Sequence, residues 1–327
     1  MIVITGGAGM IGSIIAWHIN TVLGRDDIVI VDRLTHADQW QNLCHRRYAN
    51  YLDKDELLLW LKDNASQVDA VIHMGAISAT TERDFNKLAQ DNIRYSQNLW
   101  SWCAEHAVPF LYASSAATYG GGEQGYDDNE SQIVALRPLN AYGYSKQFFD
   151  QWVLRHIREK QPKPPQWCGF KFFNVYGPNE YHKERMASVV FHSYNQFREL
   201  ATVKLFKSHV KGYEDGMQLR DFVYVKDAAA VVAHFLQHPD KSGIYNIGTG
   251  QARAFKDLAS AVMTSMGNKP SITYIDMPQD LHGKYQYFTE ANMKKLRVAG
   301  YTQPFLSLEE GVSDYVQNYL MLSDPYC

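Results

Sequence analysis

Short runs of apolar residues alternate with amphipathic stretches through the first half of the chain. Ile2, Val3 and Ile4 lead straight into a glycine-rich turn, and apolar residues then recur at helical spacing, which predicts a helix over residues 10–23. Apolar runs without alternation predict further strands at 28–31, 70–73, 110–113 and 168–173. Strands that are apolar on both faces and separated by helices indicate a parallel sheet covered on both sides.

The alternation of strands and helices divides the chain into two parts. Residues 1–173 are predicted to form an α/β domain with a Rossmann-type doubly wound parallel sheet, and the chain returns to this domain near 220–250, where residues 245–250 resemble a late strand. Beyond Asn174 the alternation weakens, and Gly, Pro, His and charged residues become frequent. We therefore expect residues 174–327 to form mainly a smaller α/β substrate-binding lobe.

Composition narrows the class of protein. The 327 residues are 46% hydrophobic and 20% charged, with a net charge of −3, which favours a globular protein and gives no basic field for nucleic acid. No apolar run approaches the roughly 20 residues of a membrane span, and a strand at residues 1–5 leaves no room for a signal peptide. The cysteines (Cys44, Cys103, Cys168 and Cys327) are scattered and the histidines lack metal-ligand spacing, so we expect free thiols in the cytoplasm and no metal.

The N-terminal turn has the spacing of a dinucleotide site. Gly6, Gly9 and Gly12 allow a tight turn, close approach to a pyrophosphate and close packing of helix on strand, and the N–H groups of Met10 and Ile11 begin that helix. Asp32 ends the second strand, 20 residues after Gly12, where an acidic residue meets the adenosine ribose.

Two cations near this site favour NADP over NAD. Arg33 follows Asp32 and is suited to a 2′-phosphate, although a solvated surface arginine is the competing interpretation; Lys54 is a second candidate.

Asn92 is predicted to hold a helix against a small-residue turn, with an ordinary surface position as the alternative. The turn predicted to lie along the cofactor consists of Met74, Gly75, Ala76, Ile77 and Ser78.

A tyrosine and a lysine four residues apart indicate acid/base chemistry beside the cofactor. Tyr142 and Lys146 share one face of a predicted helix, and the lysine is expected to lower the pKa of the phenol. Ser115, at the end of a predicted strand, is predicted to donate a hydrogen bond to the substrate oxygen that Tyr142 deprotonates. Tyr144 is only two residues from Lys146 and is predicted to face away.

These motifs resemble the extended short-chain dehydrogenase/reductase family. The matching segments span most of the chain: Thr5-Gly-Gly-Ala-Gly-Met-Ile-Gly12, Tyr112-Ala-Ser-Ser-Ala-Ala-Thr-Tyr-Gly120, Tyr142-Gly-Tyr-Ser-Lys146, Phe172-Phe-Asn-Val-Tyr-Gly-Pro178 and Arg220-Asp-Phe-Val-Tyr-Val225. Within the family, the segments around 182–192, 204–206 and 282–289 are similar to those of enzymes that act on an ADP-activated heptose.

The resemblance implies further site residues. Lys183 is implied as a second acid/base group, whereas sequence physics alone would make it a solvated loop lysine. It also implies that Val175 and Lys183 contact the cofactor and that Arg220 contacts a substrate diphosphate. The implied substrate contacts are Ser115, Asn174, Arg185, His192, Phe206, Lys207, Ser208, His209, Arg220 and Tyr285.

The activity implied by the resemblance is inversion of C6 in ADP-D-glycero-D-manno-heptose, a sugar of the lipopolysaccharide inner core, with bound NADP and in a homopentamer. Arg33, Arg185 and a longer 207–219 loop depart from the family pattern. Another sugar-nucleotide epimerase, such as a UDP-hexose 4-epimerase, is the alternative enzyme. A 4,6-dehydratase is disfavoured because Ala116 and Ala117 stand where that class has an acidic pair, and a cofactor-sensing regulator is disfavoured because Tyr142 and Lys146 are both present.

Overall fold

The computed structural model describes residues 1–34, 38–278 and 286–327, and every structural statement below concerns these residues. Its strands are β1 (Ile2–Thr5), β2 (Ile28–Asp32), β3 (Asn50–Asp53), β4 (Ala70–His73), β5 (Phe110–Ser115), β6 (Trp167–Phe172), β7 (Asn174–Tyr176), β8 (Val203–Phe206), β9 (Leu219–Tyr224), β10 (Gly243–Ile247), β11 (Ala252–Ala254) and β12 (Ile272–Ile275). Its α-helices are α1 (Met10–Thr21), α2 (Leu57–Asn64), α3 (Phe85–Leu88), α4 (Tyr95–Glu105), α5 (Ala141–Arg158), α6 (Val189–Leu200), α7 (Val225–Gln237), α8 (Phe255–Ser265), α9 (Lys294–Val298) and α10 (Leu308–Tyr315).

Seven of the described strands form one parallel sheet in the order β10-β6-β5-β4-β1-β2-β3. The order reverses between β1 and β4, and in sheets of this kind the crevice beyond the carboxyl ends of the strands at that point binds ligands. The predicted doubly wound parallel sheet is therefore confirmed.

The sheet separates two hydrophobic cores because alternate residues of each strand face opposite sides. In β1 and β2 the isoleucines at positions 2, 4, 28 and 30 pack into one core, and the valines at positions 3, 29 and 31 pack into the other. All seven side chains are fully buried. Burial on both faces explains why these strands read as unbroken apolar runs.

The remaining described strands form two small sheets, one in the order β11-β9-β7 and one that pairs β12 with β8. Between them the chain crosses back, because α7 packs against α1 and β10 joins the large sheet beside β6. The boundary at residues 173 and 174 falls between β6 and β7 and stays a prediction as a domain limit. Among the described helices, none has the length and apolar character that crossing a membrane requires.

Candidate active site

The glycine-rich turn between β1 and α1 lines one end of a cavity of about 1090 Å³. Gly6 has a φ of +64°, and a Cβ built there would lie 2.5 Å from the backbone N of Gly75. A Cβ at Gly12 would lie 2.1 Å from the carbonyl oxygen of Gly6. Only glycine fits at both positions, since backbone packs directly on backbone. Gly9, Met10 and the next residues open α1 on the cavity wall, which suits a pyrophosphate at a helix N-terminus.

Asp32 ends β2 at the same cavity. Its carboxylate accepts hydrogen bonds from the backbone N of Ala8, at 2.9 Å, and of Arg33, at 2.8 Å. Burial raises the pKa of Asp32, and these hydrogen bonds act in the opposite direction. The carboxylate therefore ties the glycine turn to the end of β2, where a ribose of a bound dinucleotide would lie.

The two predicted phosphate-binding cations also line the cavity, and each already has a carboxylate partner. Arg33 pairs with Asp55 at 2.8 Å, with the Arg33 side chain 46% exposed. Lys54 pairs with Asp91 at 2.5 Å. Both cations lie near Asp32, since Arg33 follows it in the chain and the backbone N of Lys54 donates to the Asp32 carbonyl at 3.1 Å. Their role in binding a 2′-phosphate stays a prediction.

The turn after β4 forms another part of the cavity wall, lined by Met74, Gly75, Ala76, Ile77 and Ser78. Asn92 is buried behind this turn, in the short π-helical segment Ala89–Arg94. It accepts a hydrogen bond from the Ile77 N, at 2.8 Å, and donates to the Ile77 carbonyl, at 3.0 Å, and to the Ser145 hydroxyl, at 3.0 Å. Asn92 thus joins the turn to α5 and is not a surface residue.

Helix α5 brings Tyr142 and Lys146 to the cavity. The helix begins at Asn140, whose side chain accepts a hydrogen bond from the Gly143 N at 2.8 Å, a typical N-cap. Lys146 is 4% exposed, and its Nζ donates to the Ala113 carbonyl at 2.9 Å. Ser115, at the end of β5, lines the same cavity.

Burial changes the acid/base properties of these groups. It lowers the pKa of Lys146 to about 8, while nearby Asp150 acts to raise it. Burial raises the pKa of Tyr142, although a hydrogen bond with Ser115 favours the phenolate. This direction differs from the predicted lowering by Lys146, because desolvation of the phenolate is the larger effect.

A buried ion pair behind α5 was not foreseen from the sequence. Asp150 and Lys171 lie 2.8 Å apart with both side chains 0% exposed. Asp150 also accepts hydrogen bonds from the Tyr112 hydroxyl, at 3.1 Å, and the Ser114 hydroxyl, at 2.7 Å. The available signal was a lysine inside the apolar run of β6 and a carboxylate one helical turn after Lys146.

Lys183 lines the same cavity from a different segment of the chain. It lies in the short 3-10 helical segment Tyr181–Met186, and its Nζ is 3.4 Å from the Met10 Sδ at the start of α1. Burial lowers the pKa of Lys183, and the nearby carboxylate of Glu180 acts to raise it. Glu184, the next residue, has φ 49° and ψ −126°, a strained backbone conformation for a residue with a side chain.

The predicted substrate contacts divide into two groups. Ser115 and Asn174 line the cavity, as does the neighbouring Val175 of β7, which was predicted as a cofactor contact. Within the described ranges, the residues predicted as contacts that do not line it are Arg185, His192, Phe206, Lys207, Ser208, His209 and Arg220. Tyr285 lies outside the described residues. Phe222, Phe255 and Leu258 line the cavity and were not predicted, since they read as ordinary core residues.

Several residues of the second group have partners in the protein, among them Arg220 and Lys207. The guanidinium of Arg220 is 6% exposed and donates to the carbonyls of Leu219 and Gln286. The Nζ of Lys207 pairs with Asp276 at 3.0 Å. The roles predicted for this group stay predictions.

The residues present fit a dinucleotide. The glycine turn forms a cradle that any Cβ would fill, the start of α1 is suited to phosphates, and Asp32 is suited to a ribose. Across the described ranges, no group of three or more His, Cys, Asp or Glu side chains is arranged to hold a metal ion.

A doubly wound sheet with a glycine cradle at its reversal point, and a tyrosine and lysine pair beside it, defines a dinucleotide-dependent enzyme that acts on a hydroxyl group. The chain belongs to the NAD dependent epimerase/dehydratase family, whose sequence profile matches residues 2–248. The resemblance found from the motifs is confirmed, and the cofactor is a nicotinamide dinucleotide.

Two full-length relatives narrow the class of enzyme. The chain is 54% identical to an ADP-L-glycero-D-manno-heptose-6-epimerase of Fusobacterium nucleatum, with 100% of each chain covered. It is 48% identical to an enzyme of the same name from Nitratidesulfovibrio vulgaris, again with 100% of both chains covered. The protein is therefore an epimerase, an enzyme of the isomerase class.

Solved structures agree with this class. The ADP-L-glycero-D-manno-heptose-6-epimerase of Helicobacter pylori superposes with a TM-score of 0.81 at 28% identity, over 98% of this chain and 96% of that one. The UDP-glucose 4-epimerase of Thermus thermophilus, in complex with NAD, has a TM-score of 0.76 at 23% identity, over 97% of each chain, and this likeness shows the fold alone.

Proposed function

We propose that this enzyme inverts C6 of ADP-D-glycero-D-manno-heptose to give ADP-L-glycero-D-manno-heptose by transient oxidation with bound NADP. Full-length similarity to two enzymes of that name supports the substrate. The observation that carries the mechanism is that Tyr142 and Lys183 line one cavity from two different parts of the fold.

Inversion at one carbon requires two proton-transfer positions. The glycine turn and Asp32 would hold the dinucleotide, which would supply the reversible hydride transfer that oxidation and re-reduction at C6 require. The oxygen on C6 therefore faces different walls of the cavity in the two epimers, and one fixed base does not serve both positions well. Tyr142 exchanges a proton with the oxygen of one epimer, and Lys183 does so for the other.

The surroundings of the two groups support these roles. Ser115 hydrogen-bonds Tyr142 and favours its ionised form. Lys146, held by the Ala113 carbonyl, places a cation at the base of the same helix face. Burial lowers the pKa of Lys183, which makes its neutral, proton-accepting form easier to reach than that of an exposed lysine.

The variants Tyr142→Phe and Lys183→Met test this assignment. Each is expected to lose roughly 10²–10⁴ in the rate of epimerisation while still binding NADP, since positioned proton transfer contributes about that much. Each should retain a half-reaction on an analogue that needs only one base. Tyr144→Phe, at an exposed position on the same helix, is the matched control. Epimerisation by Lys183→Met at the wild-type rate would show that Tyr142 acts alone.

The substrate is tested by NMR of the sugar's stereochemistry. Purified enzyme is mixed with ADP-D-glycero-D-manno-heptose, with UDP-glucose, or with no sugar. We expect inversion at C6 of the heptose and an unchanged UDP-glucose. Conversion of UDP-glucose alone would refute the proposed substrate and establish the UDP-hexose 4-epimerase alternative.

Preference for NADP rests on Arg33. Its ion pair with Asp55 is exposed, and such a pair contributes only about 0–1 kcal/mol, so a 2′-phosphate can compete for the guanidinium. Arg33→Ala is therefore expected to shift preference toward NAD in binding titrations. Arg155→Ala, which removes another exposed ion pair, is the control. An unchanged ratio of the NADP and NAD affinities in Arg33→Ala would show that Arg33 does not set the preference.

A further inference from the structure

Glu180 is a buried carboxylate to which the proposed chemistry gives no role. Its side chain is 0% exposed. One carboxylate oxygen accepts a hydrogen bond from the backbone N of Ser188, at 2.5 Å, and the other accepts one from the Ser188 hydroxyl, at 2.6 Å. Ser188 is the N-cap of α6, and its hydroxyl also accepts from the Phe191 N at 3.3 Å. Glu180 therefore joins the beginning of the 180–188 segment to its end, and Lys183 lies between them.

The same segment is anchored to the dinucleotide turn. Asn42 is 1% exposed, and its Nδ2 donates to the Ala8 carbonyl, at 2.8 Å, and to the Asn179 carbonyl, at 3.0 Å. The segment thus starts at a fixed distance from the glycine turn. Its strained residue, Glu184, indicates that contacts on both sides hold the backbone in place.

The charged and titratable groups around Glu180 are few. Lys183 faces it from its own segment, Tyr181 from the same segment and Tyr315 from α10. Burial raises the pKa of both tyrosines, so they stay neutral at physiological pH. Burial raises the pKa of Glu180, while the charge of Lys183 and the two hydrogen bonds from Ser188 act in the opposite direction. The ionised form of Glu180 acts in turn to raise the pKa of Lys183.

We infer that Glu180 is a positioning residue for the second proton transfer: by binding both the N–H and the hydroxyl of Ser188, it closes the 180–188 segment and holds Lys183 against the start of α1. This inference rests on the proposed function, because it takes Lys183 as an acid/base group. Glu180 itself touches neither substrate nor cofactor in this scheme.

Two variants test separately the charge of Glu180 and the length of its side chain. Glu180→Gln keeps the length and loses the charge, and Glu180→Asp keeps the charge but shortens the side chain. Both are expected to lower kcat by about 10²-fold, the effect of misplacing a catalytic group by roughly 1 Å, with NADP affinity unchanged. Glu199→Gln, an exposed position on α6, is the matched control and should behave as wild type.

The pH dependence distinguishes a positioning role from a general loss of structure. In Glu180→Gln the limb of the kcat profile that reports Lys183 should move to lower pH, because the charged form of the lysine has lost its carboxylate. In Glu180→Asp that limb should stay near its wild-type position. A normal kcat and an unmoved limb in Glu180→Gln would overturn the inference.

A measurement that needs no turnover separates this inference from the proposed function. Labelling with acetic anhydride at several pH values, followed by peptide mass spectrometry, gives the pKa of Lys183 directly. We expect a lower pKa of Lys183 in Glu180→Gln than in wild type, even if the enzyme proves inactive on ADP-heptose. Those two results together would refute the proposed substrate and support the positioning role of Glu180. An equal pKa of Lys183 in the two proteins would refute the positioning role of Glu180 without affecting the proposed substrate. If Glu180→Gln does not fold, Ser188→Ala decides, since a wild-type kcat there would also overturn the inference.

Discussion

The buried ion pair between Lys171 and Asp150 offers a quantitative test of how the active-site helix is held. The two side chains are completely buried and 2.8 Å apart. Asp150 accepts two further hydrogen bonds, from Tyr112 and Ser114, and Lys171 donates one to the Thr118 hydroxyl at 2.7 Å. Each of these partners is therefore itself a buried protein group.

Removing one partner leaves the other charge buried without compensation, which costs about 3–5 kcal/mol. Lys171→Met leaves Asp150 with two of its three donors, so we expect the lower end, about 3 kcal/mol. Asp150→Asn leaves the ammonium with the Thr118 hydroxyl and the face of Tyr119, whose ring centre is 5.1 Å away, and we expect the upper end, about 5 kcal/mol. The double variant should cost less than the sum, since no buried charge remains.

Urea unfolding followed by circular dichroism measures these free energies of unfolding. Arg155→Met is the control, because it breaks an exposed pair with Glu159 and should cost under about 1 kcal/mol. Costs of that small size for both buried variants, or additive costs in the double variant, would refute the reasoning.

Asp150→Asn is also expected to change catalysis. Asp150 acts to raise the pKa of Lys146, which burial has lowered to about 8. Without the carboxylate the pKa of Lys146 should fall below that value, so the neutral lysine becomes populated at lower pH. We expect the alkaline limb of the kcat/KM profile of Asp150→Asn to shift toward lower pH. Lys171→Met leaves Asp150 in place and should show no such shift.

Three further predictions concern the cofactor turn, acid stability and substrate binding. Gly12→Ala places a Cβ 2.1 Å from the Gly6 carbonyl oxygen and should abolish tight NADP binding in calorimetric titration, whereas Gly24→Ala, with open space around it, should not. Burial lowers the pKa of His73 to about 3, so the unfolded state binds the extra proton below about pH 6.5, and stability should fall by up to about 1.4 kcal/mol per pH unit from there toward pH 3. Urea titrations at successive pH values should show a flatter dependence in His73→Asn, and an unchanged slope would contradict the assignment. Arg220 is proposed to contact the substrate diphosphate, and on that proposal Arg220→Ala should mainly raise KM in steady-state assays, because such a contact is made in ground and transition states alike. A fall in kcat at constant KM would contradict it.

The strands that could be predicted from the sequence are those buried on both faces of the sheet. Strands β1, β2, β4 and β5 carry apolar side chains on both faces, and each contains an unbroken apolar run in the sequence. Strand β6 was predicted as well, although Lys171 interrupts its apolar run. Strand β3 did not, because it lies at the edge of the sheet and its four residues are exposed or only partly buried. The short strands β7 and β11 have three residues each, too few to show a period.

The candidate site was predictable where spacing along one element defines geometry. The three glycines, Tyr142 and Lys146 required only a turn and a helix. The direction of the Tyr142 pKa was not predictable, since it depends on how much water the whole cavity excludes. Physics alone could not place Lys183, which meets Met10 only through the tertiary fold.

Two lysines of the cavity, Lys146 and Lys183, and the buried Lys171 show why a motif alone does not define this chemistry. Lys146 and Lys171 depend on one carboxylate, Asp150, which hydrogen-bonds Lys171 and acts on Lys146 from a distance. Lys183 depends on a different carboxylate, Glu180. Loss of Asp150 should therefore disturb both the fold and the Tyr142 side of the reaction, whereas loss of Glu180 should disturb only the Lys183 side. If the two acid/base groups act on different epimers, these two losses will unbalance the half-reactions in opposite ways, and that asymmetry can be measured on single-base analogues.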